Sequence, residues 1–238
     1  MRPTVQLIRG RKARLLSIDG WNADRGAILS PAGAVAQFAT PIGNTFFPSS
    51  VAGSYSSELH SIEINLRRQT RDWLTALAGF RYVELNENGL AVLQDIGPGL
   101  NLVNYGIGAD NHLWGFQLGA DALLLQRGRF SLEAVGKAGI YGNNCGNRVS
   151  ITQQVGPSFA SSAGDNHTAF VGELGAAGLF ALNSHLALRV TYQLMWVDGV
   201  ALASDQAAVS DPAFGLATVD TGATAFYHGS FMGLEYKR

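Results

Sequence analysis

The chain has 238 residues, enough for one large β domain or two average ones, and only 15% of them are charged where about 25% is usual, although the hydrophobic share of 47% is ordinary. A net charge of −1 offers no basic surface for nucleic acid, and the mixed composition is not that of a disordered chain. No apolar run reaches the ~18 residues of a spanning helix, and the single cysteine, Cys145, has no partner for an intramolecular disulfide or a thiolate metal site.

In chain order, the first segment, MRPTVQLIRGRKAR, lacks the apolar centre of a secretory signal, so an exported chain would have lost its signal or would begin partway through a longer protein. A short strand is expected at residues 13 to 21, ARLLSIDGW. Beyond it the dominant signal is alternation of apolar and polar residues, the period of a strand whose side chains point to opposite faces. LHSIEINLRR sets Ile62, Ile64 and Leu66 against Ser61, Glu63, Asn65 and Arg67, and DWLTALAGFRY sets Leu74, Ala76, Ala78, Phe80 and Tyr82 against Thr75, Leu77, Gly79 and Arg81. LWGFQLGADALLLQ places Trp114, Phe116, Leu118, Ala120, Ala122 and Leu124 opposite Gly115, Gln117, Gly119 and Asp121. RFSLEAVGKAGIYG places Phe130, Leu132, Ala134, Ala138 and Ile140 opposite Ser131, Glu133, Lys137 and Tyr141. AFVGELGAAGLFAL then opposes Phe170, Leu174, Ala176, Phe180 and Leu182 to Glu173 and Gly175, and HLALRVTYQLMW opposes Leu186, Leu188, Val190, Tyr192, Leu194 and Trp196 to Ala187, Arg189, Thr191 and Gln193. In the last strand Met232, Leu234 and Tyr236 keep phase opposite Gly233 and Glu235, while His228 and Ser230 interrupt the apolar face and suggest a bulge.

The joins near Thr70 and Arg71, Arg127 and Gly128, and Asn183 and Ser184 are tight. Those at about 22 to 55, 86 to 110, 143 to 166 and 198 to 221 read as long loops, carrying NENG (86–89), DIGPG (95–99), GNNCGN (142–147) and SDPAFG (210–215). Short turns at one end and long loops at the other are the pattern of an up-and-down antiparallel transmembrane β-barrel of the bacterial outer membrane. About eight strands are expected, or ten to twelve if the chain is truncated at its start. Residues 1–55 would hold the first strand and a long external loop, and residues 56–238 the remaining strands, in one domain.

Period two does not say which face looks outward, because a soluble lipocalin-like barrel keeps its apolar face inside and a membrane barrel keeps it outside. The polar face favours the second arrangement. It mixes glycines with charges that balance, Glu63, Asp121, Glu133, Glu173 and Glu235 against Arg67, Arg81, Lys137 and Arg189, as a narrow lumen would require. Ile62, Ile64, Phe80, Trp114, Phe116, Leu132, Phe170, Leu188 and Tyr192 would then face lipid, where a midplane Arg or Lys would cost roughly 2–4 kcal/mol. Trp73, Tyr82, Trp114, Tyr141, Tyr192 and Trp196, near strand ends, are candidates for an aromatic girdle.

The run SELHSIEINLRR, the segment LAGFRYVELNE, the block FVGELG, the strand LRVTYQLMWVDGVALA and the ending HGSFMGLEY, over residues 56–238, resemble the planctomycete outer-membrane β-barrel proteins of the BBP type. The resemblance implies fold and location and carries no activity onto particular residues. It departs at the carboxyl end, where Lys237 and Arg238 follow Tyr236 although outer-membrane barrels generally finish on an aromatic residue.

Little else points to chemistry. His60, His112, His167, His185 and His228 are not spaced as metal ligands, so no metal or other cofactor is expected. His228 and Ser230 on one strand face, with Asp220 nearby, offer a weak hydrolase reading, since a triad is defined by geometry rather than by sequence order. GELGAAG lacks the strand-to-helix context of a phosphate-binding loop. The expectation is a non-enzymatic barrel filled by its own side chains, whose partners are membrane lipid and, through long loops, some cell-surface component. A small-solute or ion channel is the main alternative.

Overall fold

The structure, a computed structural model, describes residues 2–8, 38–39, 45–46, 48–95 and 102–236. Its strands are β1 (Arg2–Ile8), β2 (Phe38–Ala39), β3 (Thr45–Phe46), β4 (Pro48–Arg71), β5 (Leu74–Asp95), β6 (Leu102–Arg127), β7 (Phe130–Gln153), β8 (Phe159–Ala181), β9 (Leu186–Val200) and β10 (Ala223–Tyr236). A helix, α1 (Ala203–Val209), and a 3-10 turn (Pro212–Phe214) lie between the last two. Eight strands form one antiparallel sheet in the order β1-β4-β5-β6-β7-β8-β9-β10, so each strand from β4 onward pairs with its neighbour in sequence, and β2 pairs with β3 alone. The eighth strand is Arg2–Ile8, with Val5 opposite Ile64; the segment expected at 13 to 21 lies outside the described residues.

The sheet curls until distant strands meet across its concave face. Arg81 of β5 reaches Glu173 of β8 at 2.7 Å, and Ser57 of β4 lies 3.4 Å from the Tyr227 hydroxyl of β10. Among the described residues no ladder joins β10 to β1, so backbone hydrogen bonds do not close the sheet into a barrel. The alternating segments keep one phase through long unbroken ladders: β5 pairs with β6 from Leu74↔Ala122 to Gln94↔Leu102 without a shift. In β10 the one shift falls at Ala223/Thr224. There is no bulge at His228 or Ser230, which simply stand in the outward phase opposite Leu194 and Tyr192.

The tight joins are two-residue turns at 72–73 and 128–129 and a four-residue turn at 182–185. Gly128 turns the second at φ 59°, a left-handed conformation that a side chain disfavours, and the Asn183 carboxamide oxygen accepts the amides of His185 and Leu186 in the third.

Most of the expected long loops are strand instead. β5 continues to Asp95 and β6 begins at Leu102, β7 continues to Gln153 and β8 begins at Phe159, β4 begins at Pro48, and β9 ends at Val200. Residues 22–37 and 96–101 lie outside the described residues, and of the fourth loop 201–222 remains a connection. NENG and GNNCGN read as turns because Asn and Gly favour them, but here their asparagines are hydrogen-bonded strand residues, Asn86 within β5 and Asn144 across to β8. Asn86 donates to Glu84 at 2.8 Å and Asn144 donates to Asn166 at 2.9 Å. SDPAFG does turn, closed by the Asp211↔Leu216 bridge.

Several glycines line up with large neighbours. On the convex face a β-carbon at Gly142 would meet the Trp114 ring at 3.6 Å and one at Gly178 the Phe130 ring at 3.6 Å, while Trp196 occupies the space a side chain at Gly172 would fill. An aromatic ring thereby covers the backbone a glycine leaves bare. Gly172→Leu is expected to displace Trp196 and lower the unfolding free energy by about 1–3 kcal/mol, read from the urea midpoint. Gly146→Ala, whose new carbon would meet nothing nearer than 3.8 Å, should leave that midpoint unchanged.

Candidate functional site

The concave face is layered. Toward the turn end, the inward positions of five strands bring together Glu63, Arg81, Gln117, Lys137 and Glu173. Arg81, Glu63 and Glu173 are 1%, 2% and 3% exposed, so water does not solvate these charges and each needs a partner. Arg81 donates to Glu173 at 2.7 Å and to the Ser61 hydroxyl at 2.8 Å, contacts the Met195 sulfur at 3.3 Å, and lies 3.9 Å from Glu63. Lys137 bridges Glu63 at 2.8 Å and Glu173 at 3.0 Å. Gln117 donates to Glu63 at 2.7 Å and to Asn65 at 2.9 Å, and accepts from Tyr141 at 3.3 Å. Two cations and two carboxylates thus neutralise one another within a closed hydrogen-bond set.

Two further pairs lie nearer the turns, Arg67 with Asp121 and Arg189 with Glu133, the latter at 3.2 Å. They line a cavity of about 740 Å³ together with Asp72, Thr75 and Trp73. Glu133, which shares a strand face with Lys137, takes Arg189 as its partner, and Arg81 stands two strands away from β7 rather than beside it. Glu235 is placed by its backbone opposite Ala187, and its side chain lies outside the described ones.

On the convex face Ile62, Ile64, Phe80, Trp114, Phe116, Phe170 and Tyr192 are exposed, Phe116 to 77%, while Leu132 and Leu188 are half-buried. Tyr82 and Tyr192 turn their hydroxyls to histidines, His112 at 2.8 Å and His228 at 3.0 Å. Tyr141 is no part of a girdle: it is buried on the concave side, with its hydroxyl on Gln117.

The polarity of both faces changes along the strands. Toward the turns, Phe80, Phe116 and Ile140 point out while Arg81, Gln117 and Gly139 point in. Past the row His60, Glu84, His112, Asn144 and Asn166, paired in register across five strands, the outward positions are mostly polar or glycine, with Leu90 and Leu102 as exposed apolar exceptions. Beside this row the inward positions form an apolar core of Leu59, Val83, Leu85, Leu113, Met195 and Val197, and past it they mix apolar residues with buried Ser57, Glu87, Asn111 and Asn147. The strands cross this level without a break, so the surroundings of each face change while the period does not.

Beyond the apolar core, residues 201–222 fold into the far end. Asn111 donates to the Ala201 carbonyl at 2.7 Å and accepts its amide at 2.8 Å, and Asn143 donates to the Gly199 carbonyl at 3.1 Å. Gly199 holds φ 79°, and a side chain there would meet the Thr168 carbonyl at 2.8 Å. Glu87 accepts the Ala203 amide at 2.9 Å, Asn147 donates to the Thr218 carbonyl at 2.8 Å, and Gln206 pairs with the Asp220 backbone at 2.6 and 2.8 Å. Burial first, and then the neighbouring Glu87 carboxylate, hold the Tyr55 phenol well above its ordinary range. Glu87, Asn111, Asn143 and Asn147 escape a reading of the sequence because their segments resemble loops. The signal that finds them is their spacing in the inward phase.

The hydrolase candidates are placed differently from a triad. His228 lies tilted beside Tyr192 on the convex face, and the Asp220 carboxylate accepts the Gly222 amide at 2.9 Å. Among the described residues no group of His, Cys, Asp and Glu converges to hold a metal ion, and no helix is long and apolar enough to cross a membrane. No family model matches the chain, and no curated protein is significantly similar to it.

Removing one partner from the buried charge set should be costly. Arg81→Met leaves two carboxylates facing Lys137 alone and is expected to cost about 3–5 kcal/mol of unfolding free energy. Adding Glu173→Gln should recover part of the loss in a double-mutant cycle, and two additive losses would contradict the pairing. Asn111→Ala strands the Ala201 amide and carbonyl; hydrogen exchange at Ala201 and Ala203 should rise about tenfold or more, with β6 amides near Phe116 unaffected.

Proposed function

We propose that the chain is a transmembrane β-barrel of a bacterial outer membrane, closed by β10 against β1, with an interior blocked beyond its turn-end cavity and a non-enzymatic role at the cell surface. The polarity exchange is the observation that carries this reading. A strand that leaves hydrocarbon for water must trade apolar for polar residues on its outer face. The inner face is free to do the reverse, because a sealed charge layer gives way there to an apolar core. A soluble lipocalin-like barrel would keep its outer face polar along its whole length, which is at odds with Phe116, Leu118 and Ile140 on the outside. Outward runs such as Trp114–Leu124, Phe130–Ile140 and Phe170–Phe180 have the ~9 to 11 residues that a tilted membrane strand needs. β1 and β10 run antiparallel to each other in the strand order, the arrangement that closure requires. The resemblance of residues 56–238 to the planctomycete BBP-type proteins supports the same location.

A plugged interior is favoured over a channel. The neutral set around Arg81, the apolar core next to it and residues 201–222 beyond occupy successive levels of the concave face. The surface role then falls to the polar extensions of β5 to β8 and to residues 201–222 rather than to long free loops. The chain purified in detergent should float with phosphatidylcholine vesicles after detergent removal and pass no steady current in a planar bilayer. Steady single-channel conductance would reject the plug, and a compact monomer in buffer without detergent would reject the membrane.

A further inference from the structure

We propose that the turn end of the apolar belt is a docking rim for the phosphate groups of an anionic phospholipid leaflet; this rests on the membrane reading above. Arg68, Arg71 and Arg127 stand in the outward phase, opposite Ala76, Leu74 and Phe130, and Arg129 completes the second hairpin turn. All four are exposed, and none belongs to an ion pair among the described residues. They adjoin Leu66, Leu124, Leu125 and Phe130, all exposed, and the exposed Trp73 stands in the turn between β4 and β5, at the mouth of the cavity. A guanidinium on a long apolar stem beside such a belt lies along it while its head reaches the phosphate level, where it can bind two phosphate oxygens at once. Asp72 is the single carboxylate in these two turns.

The opposite rim has the reverse charge. Glu58, Glu84, Asp110 and Asp198 occupy its outward positions, and Arg148, the one Lys or Arg there among the described residues, is paired with Asp110. Free guanidiniums at one edge of the belt and carboxylates at the other distinguish the two leaflets. Anionic headgroups are attracted to the turn edge and repelled from the far edge, and the attraction weakens within a Debye length and with salt.

Tryptophans report on both edges, Trp73 at the turns and Trp114 and Trp196 near the polarity exchange. Variants of the full chain retaining Trp73 alone or Trp196 alone are reconstituted in phosphatidylcholine bilayers containing a minor share of brominated phosphatidylglycerol or brominated phosphatidylcholine. Trp73 should be quenched about threefold or more strongly by the anionic lipid at low salt, and Trp196 should show no such preference. Substituting Arg68, Arg71, Arg127 and Arg129 by Gln should abolish the Trp73 preference while quenching by brominated phosphatidylcholine persists. Equal quenching by both lipids at Trp73, or a preference that survives the four substitutions, overturns the docking rim and leaves the membrane reading standing. Absence of quenching at both tryptophans removes the membrane reading and the rim with it.

Discussion

A charge sealed from water must meet its counter-charge, and in this molecule that requirement sets the curvature of the sheet. Arg81 on β5 is three strands from Glu173 on β8, and the two touch only because the sheet curls until those strands face each other. Lys137, on β7 between them, ties Glu63 of β4 to Glu173 of β8 in the same layer. Once these side chains are inside, period two leaves their neighbours no choice: Phe80, Phe116 and Ile140 are turned outward by the same strands that turn Arg81, Gln117 and Gly139 inward. The exposed apolar belt and the buried ion set are two faces of one constraint.

The same strands then obey the opposite rule. Around the His60–Asn166 row the inward positions turn apolar, and past it the outward positions become mostly polar or glycine, as in an ordinary soluble sheet. Stability there comes from burying Leu59, Val83, Leu85 and Leu113 and from asparagines whose amides satisfy the backbone of the incoming 201–222 segment. On the proposed reading this is one fold working in two solvents, with the wall of the water-side half built from the strands themselves rather than from loops. The segment 201–222 brings α1 and the 3-10 turn against that wall.

Much of this was legible in the residues alone. The alternation in LHSIEINLRR and LWGFQLGADALLLQ identified antiparallel strands and their phase, and the inward charges Glu63, Arg81, Lys137 and Glu173 were visible as a balanced set. Their pairing was not, because which strands face each other depends on curling, a property no single strand encodes. Strand length was missed for a different reason. Beyond the polarity exchange the outward positions fill with Asn, Asp, Glu and Gly, and residues such as Asn143 and Asn147 favour turns in isolation but become hydrogen-bonded interior groups once a sheet surrounds them. Glu87 was hidden in the same way inside NENG.

The central claim is that hydrocarbon touches the convex face below the exchange and water touches it above. Nitroxide labels placed singly at Asp110, His112, Trp114, Phe116 and Leu118 of β6, in a reconstituted bilayer, test it most directly through collisions with oxygen and with a water-soluble nickel chelate. The account requires oxygen-rich, nickel-poor collisions at Phe116 and Leu118 and the reverse at Asp110, with the crossover between His112 and Phe116. Free access of the nickel chelate to Phe116, equal to that at Asp110, would contradict it.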